Sequence, residues 1–501
     1  MNFRTSDTLS VSEIRGGLKL VVKDGLAAEA MTTLTGGTFL VAIALHLGAS
    51  NFQVGLLAAL PIFANLSQLI AIWLVQRYNN RRSISVICNF LARFPLLLVA
   101  ALPWLFSKET SLHVLIFLLF FHYLFGSIAG ASWNSWMKDL VPERKLGAYF
   151  SRRNRMIQIL SVTLSLLIAV CLDYIKKNYS TYEMPAYFMM FLAGGLVGIW
   201  GVHILSRTPE PQGKQLPGNL IVLFRRALAD KNFGKLITFN SFWSFALNLA
   251  TPFFTVYMIK TLGLSFSYII ALGILSQLSS IFSIKMWGRY SDKFSNKTII
   301  TIAGPLYVIC MIAWTFSAMP SSPWVTLLLL ILINVFSGVA IAGINLAVTN
   351  IGIKLAPKGE AIVYISARNM VVAFFSALAP LVGGLMADFF ATHQLVWNFE
   401  WKGPSGITQI SVLDLHHWTF LFLIGALLAA LSLRRLKYVS ENGEIHKTVL
   451  VKQMKRTFKT SVTEKLNTPA ARFISGPVLI PTIATLNLLR YIKRGMVSMW
   501  K

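Results

Sequence analysis

Twelve times along this chain an apolar run reaches about 20 residues, the length that carries an α-helix across roughly 30 Å of hydrocarbon. The runs occupy 26–47, 53–76, 84–106, 112–134, 156–175, 185–206, 236–259, 266–288, 298–318, 323–348, 369–390 and 416–435. A helix on a soluble core keeps a polar face, and is seldom apolar all round for so long. The sequence therefore predicts an all-α membrane protein with twelve transmembrane helices. Composition agrees: 55% of the residues are apolar or aromatic and 13% are charged, against about 25% charged in soluble domains. Asp24 and Glu29 crowd the start of the first run, but it has span length and a second follows at once. It reads as a retained helix, not a cleaved signal.

Lysine and arginine outnumber aspartate and glutamate by 46 to 19. In a soluble protein that excess would raise nucleic acid as a partner; here its distribution excludes it. With the N-terminus inside, Arg77, Arg81, Arg82, Lys138, Arg144, Arg152, Arg153, Arg155, Arg225, Arg226, Arg289, Lys293 and Lys297 fall on one side. Lys108, Lys176, Lys177, Lys260 and Lys402 fall on the other. This positive-inside asymmetry puts both termini in the cytoplasm of a multi-pass protein of the cytoplasmic, or inner, membrane. Cys88, Cys171 and Cys310 all lie within spans, so no disulfide framework is expected and they read as core thiols.

The chain also repeats itself. Shifted by 215 residues, the distance from Pro142 to Pro357, the residues Pro142, Tyr149, Ser151, Arg153 and Asn154 match Pro357, Tyr364, Ser366, Arg368 and Asn369. At the same spacing Leu47, Gly48 and Ser50 match Leu262, Gly263 and Ser265, and Asp173 matches Asp388. Six spans and a linker separate equivalent positions, so the two halves share one orientation, a parallel repeat about an axis along the membrane normal. The expected organisation is an N-terminal six-helix half (1–206), a cytoplasmic linker (207–235), a C-terminal six-helix half (236–436) and a basic tail (437–501). The linker carries Pro209, Pro211, Gly213, Pro217 and Gly218. The tail carries Lys452, Lys455, Arg456, Lys459 and Lys465, and is expected to meet anionic lipid at the membrane surface.

Twelve spans, a parallel repeat and the loop Gly288-Arg289-Tyr290-Ser291-Asp292-Lys293-Phe294-Ser295-Asn296-Lys297 together resemble the major facilitator superfamily of prokaryotic type. The resemblance stops short of a subfamily. It implies two six-helix bundles and a cytoplasmic latch in which Gly288, Asp292, Lys293 and Lys297 take part. A carboxylate among cations at helix ends suits that role electrostatically. The first half, with Arg77-Tyr78-Asn79-Asn80-Arg81-Arg82, has no acid in the equivalent loop, so its arginines read as anchors. Arg153 and Arg368, at the inner ends of the fifth and eleventh helices, are candidates for further gate contacts or for phosphate anchoring. Arg207-Thr208-Pro209-Glu210-Pro211 carries no weight at this point.

Ionisable residues inside spans are functional candidates, because a charge at the bilayer centre costs about 2.5–3.5 kcal/mol on translocon scales. Arg93 lies mid-span, with Glu29 and Asp24 as acidic partners within reach of the sequence. Protonating Glu29 would loosen an Arg93–Glu29 pair and so couple a proton to gating, while a static structural pair is the plainer alternative. His122 is either a proton relay or a hydrogen-bonded core residue. The resemblance implies a cavity lined by the first, fourth, seventh and tenth helices, which brings in Asn240, Asn248, Asn334 and Asn345. Each could read a substrate hydroxyl or amide, or tie helices together. No nucleotide loop, metal cluster or nucleophile–base pair stands out, so neither an enzyme nor a cofactor is expected. The function implied is secondary active transport of a small organic solute by alternating access, with protons as a candidate coupling ion. A lipid or lysolipid flippase on the same fold and a non-transporting scaffold or sensor are the alternatives.

Overall fold

The computed structural model describes residues 9–441, apart from 143–144, 213–219, 294, 319–321, 358–360 and 404–405. Side chains at 220–224, 292–293, 361–363, 397–403, 406–414 and 416 also lie outside the description. From residue 442 the expected basic tail lies outside it too.

Among the described residues, twelve helical spans are long and apolar enough to cross a membrane. The first is α1 (Val11–Thr35) with α2 (Gly37–His46); the second is α3 (Asn51–Ala64) with α4 (Gln68–Tyr78). Then come α5 (Arg81–Leu105), α6 (Lys108–Leu140), α7 (Leu146–Asn178) and α8 (Glu183–Leu205). A short helix α9 (Leu220–Ala229) precedes α10 (Lys231–Lys260), α11 (Phe266–Lys293), α12 (Asn296–Thr315), α13 (Pro323–Leu355), α14 (Ala361–Phe390) and α15 (Trp418–Arg435).

Several helices outrun their apolar cores, because hydrogen bonding continues where hydropathy stops. The first begins at Val11, ahead of the charged residues, since Ser10 and Glu13 form a capping box that satisfies its leading N–H groups. It breaks at Gly36-Gly37, where Gly37 takes φ +57°, a backbone region open to glycine at little cost. Cys88 and Cys310 are buried as core thiols, whereas Cys171 is exposed.

Within the N-terminal half, α1 and α5 pack on α8, and α5 packs on α6. Glycines on α8 permit the close approach: a methyl at Gly194 would meet Thr35 at 2.8 Å, and one at Gly198 would meet Met31 at 2.7 Å. In the C-terminal half α13 packs on α11 and α12, and α10 on α14 and α15. Between α14 and α15 the chain forms an antiparallel hairpin, β1 (Gln394–Gly403) and β2 (Gly406–His416), with a register shift between Trp397 and Asn398. A reading based on spans passes over it. The face of the bundle that carries the hairpin is called the hairpin face below, and the opposite one the linker face.

The halves meet chiefly through α3 against α14 and α7 against α11, with smaller contacts of α2 on α10. Gly55 abuts the Pro380 carbonyl, and a methyl at Gly384 would stand 2.7 Å from the Phe52 backbone. These contacts belong to the part of the bundle nearer the hairpin face. Toward the linker face α4 packs on α6 of its own half, and Trp73 and Tyr78 on it are exposed.

Candidate functional site

A helix begins with four N–H groups that its own backbone leaves unbonded, and a carboxylate placed there satisfies two of them while meeting the positive end of the helix dipole. Among the described residues, four carboxylates sit on helix starts in this manner, in two symmetric pairs.

On the hairpin face the carboxylates cross between halves. Asp388, near the end of α14, accepts from the N–H groups of Asn51 and Phe52 at the start of α3, at 3.1 and 3.0 Å. Asp173, near the end of α7, accepts from the N–H groups of Phe266 and Ser267 at the start of α11, both at 2.8 Å. All three matched positions obey the 215-residue shift.

On the linker face the carboxylates stay within a half. Glu210 accepts from the N–H groups of Arg81 and Arg82 at the start of α5, at 2.8 and 3.1 Å, and from Arg81 Nε at 3.2 Å. Arg81 also pairs with Asp139 of α6, and its Nη2 donates to the Pro211 carbonyl at 2.8 Å. In the second half Glu441 accepts from the Lys297 N–H at 2.9 Å, from Asn296 Nδ2 at 2.8 Å and from Ser295 Oγ at 3.0 Å, and meets Lys354 Nζ at 3.3 Å. Burial works to raise the Glu441 carboxyl, but the hydrogen bonds from Lys297, Asn296 and Ser295 outweigh it and hold the group below the ordinary glutamate range. The arginines of the first half are thus more than anchors: Arg81 is 3% exposed and is neutralised by acids from outside its own loop.

Inside the N-terminal half, Arg93 is 4% exposed. Its Nη1 donates to Asp24 Oδ1 at 3.2 Å and to the Gly198 carbonyl at 2.6 Å, and its Nη2 to Asn89 at 3.3 Å. The pairing acid is therefore Asp24, with Glu29 half-buried on the same helix. Gly201 makes room for the pair, since a methyl there would stand 2.7 Å from the guanidinium. The pair sits among α1, α5 and α8. His122 Nδ1 lies 2.8 Å from the Ala92 carbonyl, which makes Nδ1 the protonated nitrogen. Arg153 stacks on Trp133 at 4.9 Å.

In the C-terminal half a cavity of about 150 Å³ is lined by Asn240, Trp243, Asn248, Asn345, Arg368 and Asn369, among others.

Residues 25–380 match the family model described as Major Facilitator Superfamily. The chain belongs to the major facilitator superfamily. Its members are transporters and not enzymes, and the fold of the described residues agrees. A mutant of the nucleoside transporter NupG superposes with a TM-score of 0.63 at 13% identity, covering 85% of this chain and all of its own. The xylose transporter XylE from E. coli, inward open, gives 0.58 at 15% identity over 87% and 98%. A bacterial homologue of the human lysosomal transporter Spinster, inward-facing and unoccupied, gives 0.55 at 16% identity over 85% and 94%. No curated protein matches the chain.

Within this superfamily fold the residues singled out by sequence divide. Asn240, Asn248, Asn345 and Arg368 come together at one cavity. Asn334 is apart from it and donates to the Leu330 carbonyl of its own helix at 2.9 Å. Arg93 and Glu29 are in the other half, as are His122 and Arg153. Of the latch residues, the side chains of Asp292 and Lys293 lie outside the described residues, and Gly288 has open space where a methyl would point. Lys297 bonds within its own half, to the Lys437 and Val439 carbonyls at 3.3 and 2.6 Å. Sequence reasoning missed the roles of Asp173, Asp388, Glu210, Glu441 and Asp139. The signal was present for two of them, because Asp173 and Asp388 are polar residues matched by the repeat.

Proposed function

We propose that this protein is a secondary active transporter that moves a small organic solute across the cytoplasmic membrane by alternating access. The observation that carries the reading is the one-sided closure: both aspartate caps that cross between halves lie on the hairpin face, while the polar cavity lies on the other side of that closure. The positive-inside asymmetry supports reading the linker face as cytoplasmic, and on that reading this arrangement is inward-facing. Opening the hairpin face requires the four N–H bonds to Asp173 and Asp388 to break, and closing the linker face requires the cavity to be covered.

The reading extends to proton coupling at Asp24. It is the acid of a buried ion pair with Arg93, and protonating it would remove the charge that offsets the guanidinium. Solute uptake into proteoliposomes with and without an imposed pH gradient tests this. Uptake that depends on the gradient and loses the dependence in Asp24→Asn supports the coupling; gradient-dependent uptake that survives Asp24→Asn removes Asp24 from it. Labelling of single cysteines from the two sides tests alternating access, which requires solute to protect one face and expose the other.

A further inference from the structure

We propose, resting on the transporter reading above, that the cavity of the C-terminal half takes the carboxylate end of a small hydroxylated or amide-bearing monocarboxylate, with Arg368 as its counter-ion. Arg368 lines the cavity and is 8% exposed. Its protein partners are all neutral: Nη1 donates to the Val348 carbonyl at 2.9 Å, and Nε and Nη2 donate to Asn369 Oδ1 at 3.3 and 3.0 Å. Among the described residues no carboxylate lies within ion-pair distance of it. Of the five N–H groups of a guanidinium, one on each terminal nitrogen is left over. That two-pronged set fits the two oxygens of a carboxylate.

The repeat sharpens the point. Arg153 occupies the equivalent place in the first half, within electrostatic reach of Asp24 and Glu29. Shifted by 215 residues, those two acids become Phe239 and Ser244. The second half has kept the cation, there buried, and lost its counter-charges.

Asn240 supplies an independent sign of a missing ligand. It is 3% exposed and lines the cavity, yet neither atom of its amide has a hydrogen-bond partner, which is rare for a buried amide. An amide offers both a donor and an acceptor, so Asn240 suits a hydroxyl or another amide. One guanidinium matches one negative charge, and among the described residues no acid lines the cavity to receive an ammonium. A neutral-bodied monocarboxylate fits these groups better than an amino-acid zwitterion or a doubly charged phosphate. The cavity is smaller than the roughly 300–1,000 Å³ of sites for drug-sized ligands, which limits the occupant to a small acid or one end of a larger one.

The test uses the full chain in detergent and reads thermal unfolding with lactate, glycerate and gluconate against their uncharged counterparts lactamide, glycerol and sorbitol. A ligand of the folded state raises the midpoint. At least one acid is expected to do so while its counterpart does not. Arg368→Gln is expected to weaken that binding roughly 10- to 100-fold and Arg368→Lys less. Asn240→Ala removes a group with no protein partner, so folding survives, and it is expected to weaken binding about fivefold. The proposal is overturned if no acid binds, if the uncharged counterparts stabilise equally, or if binding is unchanged in either Arg368→Gln or Asn240→Ala. Counterflow in proteoliposomes separates this inference from the one beneath it. Arg368-dependent binding without counterflow would remove the transport reading and leave the anion site, whereas counterflow of the uncharged solutes alone would do the reverse.

Discussion

The two faces of this bundle solve one problem in opposite ways. On the linker face Glu210 and Glu441 cap helices of their own half; on the hairpin face Asp173 and Asp388 cap helices of the other half. The chemistry is the same, a carboxylate on a helix N-terminus, and only the ownership of the carboxylate differs. Where the bond closes within a half it makes a rigid bundle end that moves as a body. Where it crosses between halves it becomes, on the proposed alternating-access reading, a contact that each transport cycle breaks and remakes.

The linker-face caps should therefore govern stability and the hairpin-face caps conformation. The largest effect is expected for Glu210→Ala, which leaves the buried Arg81 with Asp139 alone and strips two N–H groups of their acceptor. It should cost about 3 kcal/mol of stability, seen as a lower unfolding midpoint in detergent, with no change in which face is closed. Next comes the double variant Asp173→Ala and Asp388→Ala. Losing a cap costs about 0.5–2 kcal/mol, enough at each site to shift the balance between the two states several-fold. Cysteine accessibility should then rise on the hairpin face while the midpoint moves little.

Glu441→Gln is expected to cost about 1 kcal/mol at neutral pH, and its penalty carries a sign that can be checked. A carboxyl held below its ordinary range stabilises the fold above the unfolded-state value, about 4.3 for glutamate, and loses that contribution as pH falls through its folded value. The gap between wild type and Glu441→Gln should therefore be full at pH 7 and shrink on acidification below about 4.3; a gap that widens there would contradict the assignment. The smallest effect belongs to Gly288→Ala. A methyl there meets nothing, and helix propensity favours alanine by roughly 0.5–1 kcal/mol, so the midpoint should stay or rise slightly.

Hydropathy made the twelve spans legible, and the 215-residue shift made the two halves so, because both signals repeat many times. The caps were harder to read. Glu210 and Glu441 follow the last helix of each half, but the β-hairpin between α14 and α15 lengthens the second half ahead of its last helix, so the shift does not align them. Asp173 and Asp388 do align, yet a sequence has no way to say that their partners are backbone N–H groups, which leave no trace in residue identity. Asp24 and Glu29 lie close on α1, and which of them meets Arg93 depends on the packing of α8 at Gly198 and Gly201. Asn240 and Asn334 read alike in sequence, and packing alone sends one into the cavity and the other back to its own helix.

Distances between spin labels across the halves test the central claim most directly, with one pair at Tyr182 and Trp324 near the hairpin face and another at Tyr78 and Ile353 near the linker face. All four side chains are exposed. In the Asp173→Ala and Asp388→Ala double variant the hairpin-face distance should lengthen and the linker-face distance shorten, while Glu210→Ala leaves both distributions where they are. Unchanged distances in the double variant, or an equal shift in Glu210→Ala, would contradict the division of labour between the two faces.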